Sequence, residues 1–353
     1  MAEILPGPKD AVAPELLGRL AARYPGLGTI RRILRNATSA NSLGCLFATS
    51  LGEFFLKGLS PSKRLPAELL QEHRIVQHLC RHNFPTPPIL ANAAGETLTQ
   101  ESGYFWTIYH AAAGEDRYCH SSVFAPFDAL AEVHSAGATL ARFHLALSDL
   151  PALPPRPFQG IVARYELAWA EDLHQEIAGL LANRPPAWDF LVNSPDFIEA
   201  LRLFDRLREG LPDRRSRMIL AHGLIHGDWI KRNLFFKDNE VSAVIDIELC
   251  NWAPLAYDLA LAISAAAFPW QSLLAGEPPR LADAAVMQAG YESVRKLSPA
   301  EAQSLPVLLA TCRFEFHLAL LALAAERGDL AQAAWYWEGQ LSMLRWWQRK
   351  LGC

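Results

Sequence analysis

The sequence predicts an α+β chain of two lobes, a small N-terminal antiparallel β-sheet lobe with one key helix and a larger, mainly helical C-terminal lobe. Three observations carry this. From about residue 30 to 110, short apolar and aromatic runs alternate with Gly, Pro, Ser and Asn, the pattern of strands and turns, broken by one helix-period stretch after Pro66. From Phe124 onward helical periodicity dominates, over 128–147, 162–184, 195–209, 282–296, 299–327 and 329–349. Within that helical part lies one hairpin, Leu234-Phe235-Phe236 and Val241 to Ile245, about a turn near Asp238-Asn239. The boundaries expected are 1–106 for the first lobe and 116–353 for the second, with 107–115, which the family resemblance described below implies is a hinge, between them.

Composition suits this size. With 353 residues, 51% hydrophobic and 20% charged, the chain can bury a large core and divide into two domains. A net charge of -4 gives no reason to expect nucleic acid or an anionic membrane surface as partner. Ten Trp and 24 Pro suggest a rigid, loop-rich globule. Met1 to Pro6 carries neither the basic region nor the apolar run of a signal peptide, and the longest apolar stretches are broken by Asp258, Arg313, Glu315 and His317, so a cytoplasmic location is expected. Six cysteines, at 45, 80, 119, 250, 312 and 353, form no Cys-x-x-Cys pair and read as free thiols. His78 and His82, at i and i+4, could grip a metal, but no third ligand stands near them in sequence.

Residues 14–23 read as a short amphipathic helix ending before Pro25-Gly26. Gly26-x-Gly28 fails as a dinucleotide fingerprint, because Arg31 holds the third glycine's place and no strand precedes it. No Gly-x-x-x-x-Gly-Lys loop exists. Strands with turns fill Ile30 to Leu59, and Glu53 to Leu59 is a strand with one cation, Lys57. Pro66 opens a helix, a position proline favours. On it Leu69, Glu72, Val76 and Leu79 share one face, so Glu72 points inward and needs a partner. Lys57 is one candidate; Arg74 or Arg81 are others, with Lys57 then a solvated edge residue and Glu68 a rival to Glu72. Pro85-Thr86-Pro87-Pro88 turns into further strands, Tyr104 to Tyr109 is the last of the sheet, and Ala111 to Gly114 follows as a flexible link.

The catalytic reading starts at Ile225-His226-Gly227-Asp228-Trp229-Ile230-Lys231-Arg232-Asn233. Pairing the hairpin strands should return Asp246, at the exit of the second, beside Asn233 at the start of the first. An amide oxygen with one or two carboxylates is an all-oxygen cluster that suits Mg2+, with Asp228 left over as a base. Glu248, two residues past Asp246, faces the metal or solvent.

An Asp followed five positions later by a metal-binding Asn, and later by a metal-binding Asp, also occurs in protein kinases. Here the loop is His226-Gly227-Asp228, with Ile245-Asp246-Ile247-Glu248 and Tyr257-Asp258-Leu259-Ala260 after it. That variant resembles the aminoglycoside phosphotransferase and choline kinase group of small-molecule kinases, across 221–262 and less fully across 38–115. The resemblance implies a protein kinase-like fold, ATP and Mg2+ as cofactors, and a small-molecule hydroxyl as acceptor. It implies catalysis by Asp228 and metal binding by Asn233 and Asp246, with Glu248 in addition. His226 would orient the loop, and Asp258, buried in an apolar segment, would brace it by accepting backbone N–H bonds. Lys57, paired with Glu72, would steady the α and β phosphates. Ser42 lies in the segment Thr38 to Gly44 that would cover the nucleotide, and backbone groups at about 107–110, Thr107 and Tyr109 among them, would hold the adenine. Tyr291 to Ser298 and the N-terminal helix are similar to homoserine kinases of this group. Glu171, Asp172 and Glu176 could receive an amine, and Trp335, Tyr336, Trp337, Trp346 and Trp347 could stack on a cation. A nucleotide-binding regulator without turnover is the alternative. A protein kinase is disfavoured, since Asp-Phe-Gly is absent and no Ala-Pro-Glu closes an activation segment after Asp246.

Overall fold

A computed structural model describes residues 12–37, 42–62, 64–121, 125–151, 153, 165–181, 193–209, 220–269, 272–273, 275–327, 338, 341–346 and 348–349. The chain divides into two compact units, residues 1–115 with 242–248, and residues 116–241 with 249–353.

The first unit is a five-stranded antiparallel sheet in the order β1-β2-β3-β5-β4, from β1 (Ile30–Asn36), β2 (Ser42–Thr49), β3 (Glu53–Leu59), β4 (Thr99–Glu101) and β5 (Tyr104–His110). Side chains alternate across a strand, so the register decides which residues share a face. Lys57 lies opposite Gly44 on β2 and Thr107 on β5, and Leu59 lies opposite Phe105. Phe54, Leu56, Trp106 and Ile108 therefore point the other way, into a core closed by Leu17 and Leu20 of α1 (Pro14–Ala21) and by Tyr24 and Leu27. Burying each such side chain contributes about 1.5–3 kcal/mol.

The helix α2 (Pro66–Arg81) covers the Lys57 face, where its Leu69 meets Leu59 and Phe105. Pro66 sits in its first turn, and Glu68 accepts the Leu65 N–H at 2.9 Å, half of a capping box. That hydrogen bond assigns Glu68 to the cap. Glu72 is buried, as the spacing of the apolar stripe predicts. The rings of His78 and His82 lie 4.5 Å apart, and Arg81 donates to Nδ1 of His78 at 3.2 Å.

Residues 242–248 cluster with this unit, although the sequence reading assigns all of 116–353 to the second lobe. The reason is a set of bonds at long sequence separation. Val244 donates to the Pro85 carbonyl at 2.7 Å, Thr86 Oγ1 donates to the Val244 carbonyl at 3.0 Å, and Ser242 donates to Ala113 at 2.7 Å.

The second unit is mainly helical, with α3 (Leu130–Ala146), α4 (Leu173–Leu181), α5 (Pro195–Glu209), α6 (Leu255–Ala267), α7 (Leu281–Glu292) and α8 (Pro299–Arg327). Two glycines set its tightest helix pair. A Cβ at Gly137 of α3 would lie 2.2 Å from the Met287 carbonyl oxygen, and one at Gly290 of α7 would lie 2.1 Å from that of His134. The α3 and α7 backbones therefore touch, which no larger residue would allow. Strands β6 (His222–Ile225) and β9 (Asn251–Pro254) pair antiparallel, and β7 (Leu234–Lys237) and β8 (Glu240–Val244) form the expected hairpin. Asp238 and Asn239 at its turn have φ of 52° and 64°, the two left-handed positions of a tight primed turn.

The stretch 162–184 holds a 3-10 turn, Tyr165–Trp169, and then α4, and α7 ends at Glu292, short of the expected 296. Trp335, Tyr336, Trp337 and Trp347 lie outside the described residues. Among the described residues no helix is long and apolar enough to cross a membrane, and Cys45, Cys80, Cys119, Cys250 and Cys312 are free thiols.

Candidate active site

In the first unit, Lys57 gathers the acidic groups. Its Nζ pairs with Asp246 Oδ1 at 2.9 Å and, more closely, with Glu248 Oε1. Burial works against the ammonium charge, but the carboxylates of Asp246, Glu248 and Glu72 outweigh it and hold Lys57 well above the ordinary lysine range. The ion-pair partners named by the geometry are therefore the two carboxylates after the hairpin. Glu72 acts on Lys57 through its charge and accepts the Tyr109 hydroxyl at 3.4 Å. Glu248 is further tied to Arg64, whose guanidinium donates to the Glu248 carbonyl at 2.6 Å and stands 3.6 Å from its carboxylate. Asp246 takes a left-handed φ of 64°, a conformation a non-glycine residue adopts at a cost and that tends to mark functional positions.

The remaining expected nucleotide contacts lie on the same sheet. Ser42 begins β2 and pairs in register with Leu59. Thr107 is buried, with its hydroxyl 3.0 Å from His73 Nε2. Backbone groups of 107–110 are engaged by neighbours, since Leu90 donates to the Ile108 carbonyl at 2.8 Å and His110 donates to Pro88 at 2.9 Å. A base held by this stretch would have to compete with those bonds.

The loop expected to carry catalysis, around His226 to Asn233, belongs to the second unit and is built from its backbone outward. Gly227 has φ of 79°, and a Cβ there would lie 2.6 Å from the Leu249 carbonyl oxygen, so the loop needs glycine between His226 and Asp228. Asp258 is fully buried on α6. Its Oδ2 accepts the His226 N–H at 2.7 Å and its Oδ1 accepts the Gly227 N–H at 3.1 Å, while His144 Nε2 of α3 lies 3.0 Å from Oδ2. Burial pushes the Asp258 carboxyl up, yet the His144 bond, the electrostatic pull of the neighbouring His144 and His226 imidazoles and the His226 N–H together hold it below the usual aspartate range. It is thus an anion caged by N–H donors.

His226 is buried, and its Nδ1 accepts the Asp228 N–H at 3.3 Å. Its ring stands edge-on to Trp229 at 5.2 Å and near Phe143 at 5.6 Å. Lys231 points inward too, donating to the Pro126 carbonyl at 2.9 Å with Nζ 4.5 Å from the centre of the Tyr118 ring. Burial lowers its pKa to about 8. Asn233 donates through Nδ2 to both the backbone carbonyl of Asp228, at 2.9 Å, and its carboxylate Oδ2, at 2.8 Å. The Asn233 amide is thereby oriented, and its oxygen is the atom left for a cation.

A family model described as "Phosphotransferase enzyme family" matches residues 38–297. The chain belongs to the phosphotransferase enzyme family. Among curated members, it is 33% identical to a homoserine kinase of Gluconacetobacter diazotrophicus over 190 residues, 52% of this chain and 50% of that protein, so the match spans about half that relative's length. Among solved structures, the fold is similar to that of a microcompartment-associated aminopropanol kinase, with a TM-score of 0.67 and 18% identity over 96% of this chain and 97% of the other. It is also similar to the amicoumacin kinase hAmiN in complex with AMP-PNP, Ca2+ and Ami, with a TM-score of 0.62 and 13% identity over 94% of each chain. These likenesses establish the α+β, two-lobed kinase-like fold of this phosphotransferase-family chain.

Two participants were not legible in sequence. Arg64 stands in a connection before α2, and its Glu248 partner is 184 positions away. His144 sits on the buried face of α3, where a histidine among apolar residues signals nothing by itself.

Proposed function

We propose that the protein transfers the γ-phosphoryl group of ATP to a hydroxyl of a small amine-bearing alcohol, with homoserine the first acceptor to try. The observation that carries this reading is the pairing of the Asn233 amide with the Asp228 carboxylate, which orients a base and a metal ligand together. Asn233 of the second unit would offer an amide oxygen, and Asp246 and Glu248 of the first would offer carboxylates, each a hard oxygen donor of the kind that suits Mg2+. Mg2+, when bound, would supply positive charge to offset the charge that develops on phosphoryl transfer. Lys57, held by Asp246 and Glu248, would steady the phosphates of the same nucleotide, and Glu72 and Tyr109 would support Lys57. Asp228 would orient the acceptor hydroxyl and take its proton as the oxygen attacks. His226 and Asp258 would keep the loop in position. Because the transition state is loose, positioning and charge compensation supply most of the acceleration.

Homoserine is favoured among amine-bearing alcohols by the curated relatives, and the aminopropanol kinase likeness favours the wider class. ADP release from ATP and from GTP with Mg2+ should be measured over homoserine, amino alcohols, choline, aminoglycosides and methylthioribose. Turnover confined to one amine-bearing alcohol supports the proposal. Tight Mg2+-nucleotide binding with no turnover on any acceptor favours the regulator reading instead.

A further inference from the structure

We propose that Tyr291 and Arg295 are positioning residues for the catalytic loop and act on it through His144 and Asp258. The inference rests on the reading of Asp228 as the base of that loop. Tyr291 follows Gly290 on α7, at the glycine contact with α3, and that close approach brings its hydroxyl to 2.8 Å from His144 Nδ1. On the other side of the ring, His144 Nε2 reaches Asp258, which holds the amides of His226 and Gly227. Arg295 donates to the Tyr291 hydroxyl at 3.2 Å, and its second nitrogen donates to Glu301 at 2.7 Å. Glu301 in turn accepts the Ser298 N–H at 2.8 Å. The segment Tyr291 to Ser298, which the sequence reading left without a role, is thus the far end of a buried polar chain.

The proposal gives that chain one direction. Asp258 is an anion and only accepts, so His144 donates through Nε2–H. Arg295 only donates, so the Tyr291 oxygen receives that bond, and in the proposed arrangement its own proton turns towards Nδ1. The proposal gives His144 the Nε2–H tautomer with Nδ1 as acceptor, so that each member polarises the next. The ring is held at both nitrogens, and the loop inherits that orientation through Asp258.

The test uses the whole 353-residue chain with 15N-labelled histidine. His144, assigned by loss of its signal in His144→Gln, should show the Nε2–H tautomer in the absence of nucleotide. In Tyr291→Phe its Nδ1 resonance should move towards that of an unbonded nitrogen, and hydrogen exchange at the His226 and Gly227 amides should speed up about tenfold, the loss expected for one buried hydrogen bond. With a working acceptor, kcat should fall by a similar factor while KM for ATP stays within about twofold. Arg295→Gln should do the same more weakly. An Nδ1–H tautomer or an imidazolium in the wild type overturns the proposal, and this holds even if Tyr291→Phe fails to fold. So does a variant that melts earlier but keeps the imidazole signal, amide exchange and kcat unchanged. If the wild type turns over no acceptor, the proposed function fails while the imidazole and amide readouts still decide this inference.

Discussion

Asp258→Asn should cost about 3–5 kcal/mol of stability, and the figure can be built from its contacts. Three N–H groups converge on the carboxylate, from His226, Gly227 and His144. An asparagine offers one oxygen, so its NH2 must face at least one of those donors. Turning the NH2 towards Gly227 does least harm, since Oδ1 has the longest of the three bonds and serves only that amide. Even so, one buried N–H loses its acceptor, at about 1–3 kcal/mol, and two charge-assisted bonds become neutral, at about 1 kcal/mol each. Urea unfolding at pH 7, followed by tryptophan fluorescence, measures the difference. The sign with pH is also set. Asp258 has a folded pKa below its unfolded one, so its contribution is complete above the ordinary aspartate value and is lost as pH falls through the lower folded value. The gap between wild type and variant should therefore hold from pH 7 to about 5 and narrow in stronger acid. A loss under about 1 kcal/mol at pH 7 would refute the view that this carboxylate is a caged anion on which the loop hangs.

Two further predictions concern packing and burial. Gly290→Ala gains about 1 kcal/mol of helix propensity but puts a Cβ 2.1 Å from the His134 oxygen, so a net loss of about 2 kcal/mol or more is expected; Gly18→Ala on α1, with nothing within 4 Å, should be neutral or mildly stabilising in the same denaturation assay. Burial pulls His73 down to about 4, so the folded state resists protonating it while the unfolded chain takes a proton near pH 6.5. Its neutral form therefore contributes fully above pH 6.5, and stability drops by about 2 kcal/mol between pH 7 and 5, a drop that His73→Gln should largely remove in paired urea titrations.

What the sequence made legible was local. The hairpin could be read because two apolar runs flank Asp238-Asn239, and both residues do take the left-handed turn. The inward direction of Glu72 followed from helix spacing, and the burial of Asp258 followed from its apolar surroundings. What escaped depends on which distant surfaces meet. Glu72 could be seen to need a partner, but nothing in the pattern of α2 says that Tyr109 would supply a hydroxyl, or that Lys57 would reach Asp246, 189 positions away. His144 and Tyr291 are 147 positions apart, and they meet because Gly137 and Gly290 let two helices touch. Glycine inside a helix usually lowers confidence in the helix; here it marks the contact. Backbone recognition of a base leaves no side-chain signature, and the bonds that occupy Ile108 and His110 depend on where Pro88 and Leu90 fold back.

The central claim is that Asp228 serves the chemical step while other residues hold the nucleotide and metal. The most direct measurement compares Asp228→Asn with the wild type in two assays, calorimetric binding of an ATP analogue with Mg2+ and steady-state turnover on the best acceptor. The account predicts that Kd changes by less than about threefold while kcat falls by at least about a hundredfold, the range for removing a positioned acid–base group. Turnover within a few-fold of wild type, or loss of nucleotide binding in step with activity, would contradict it.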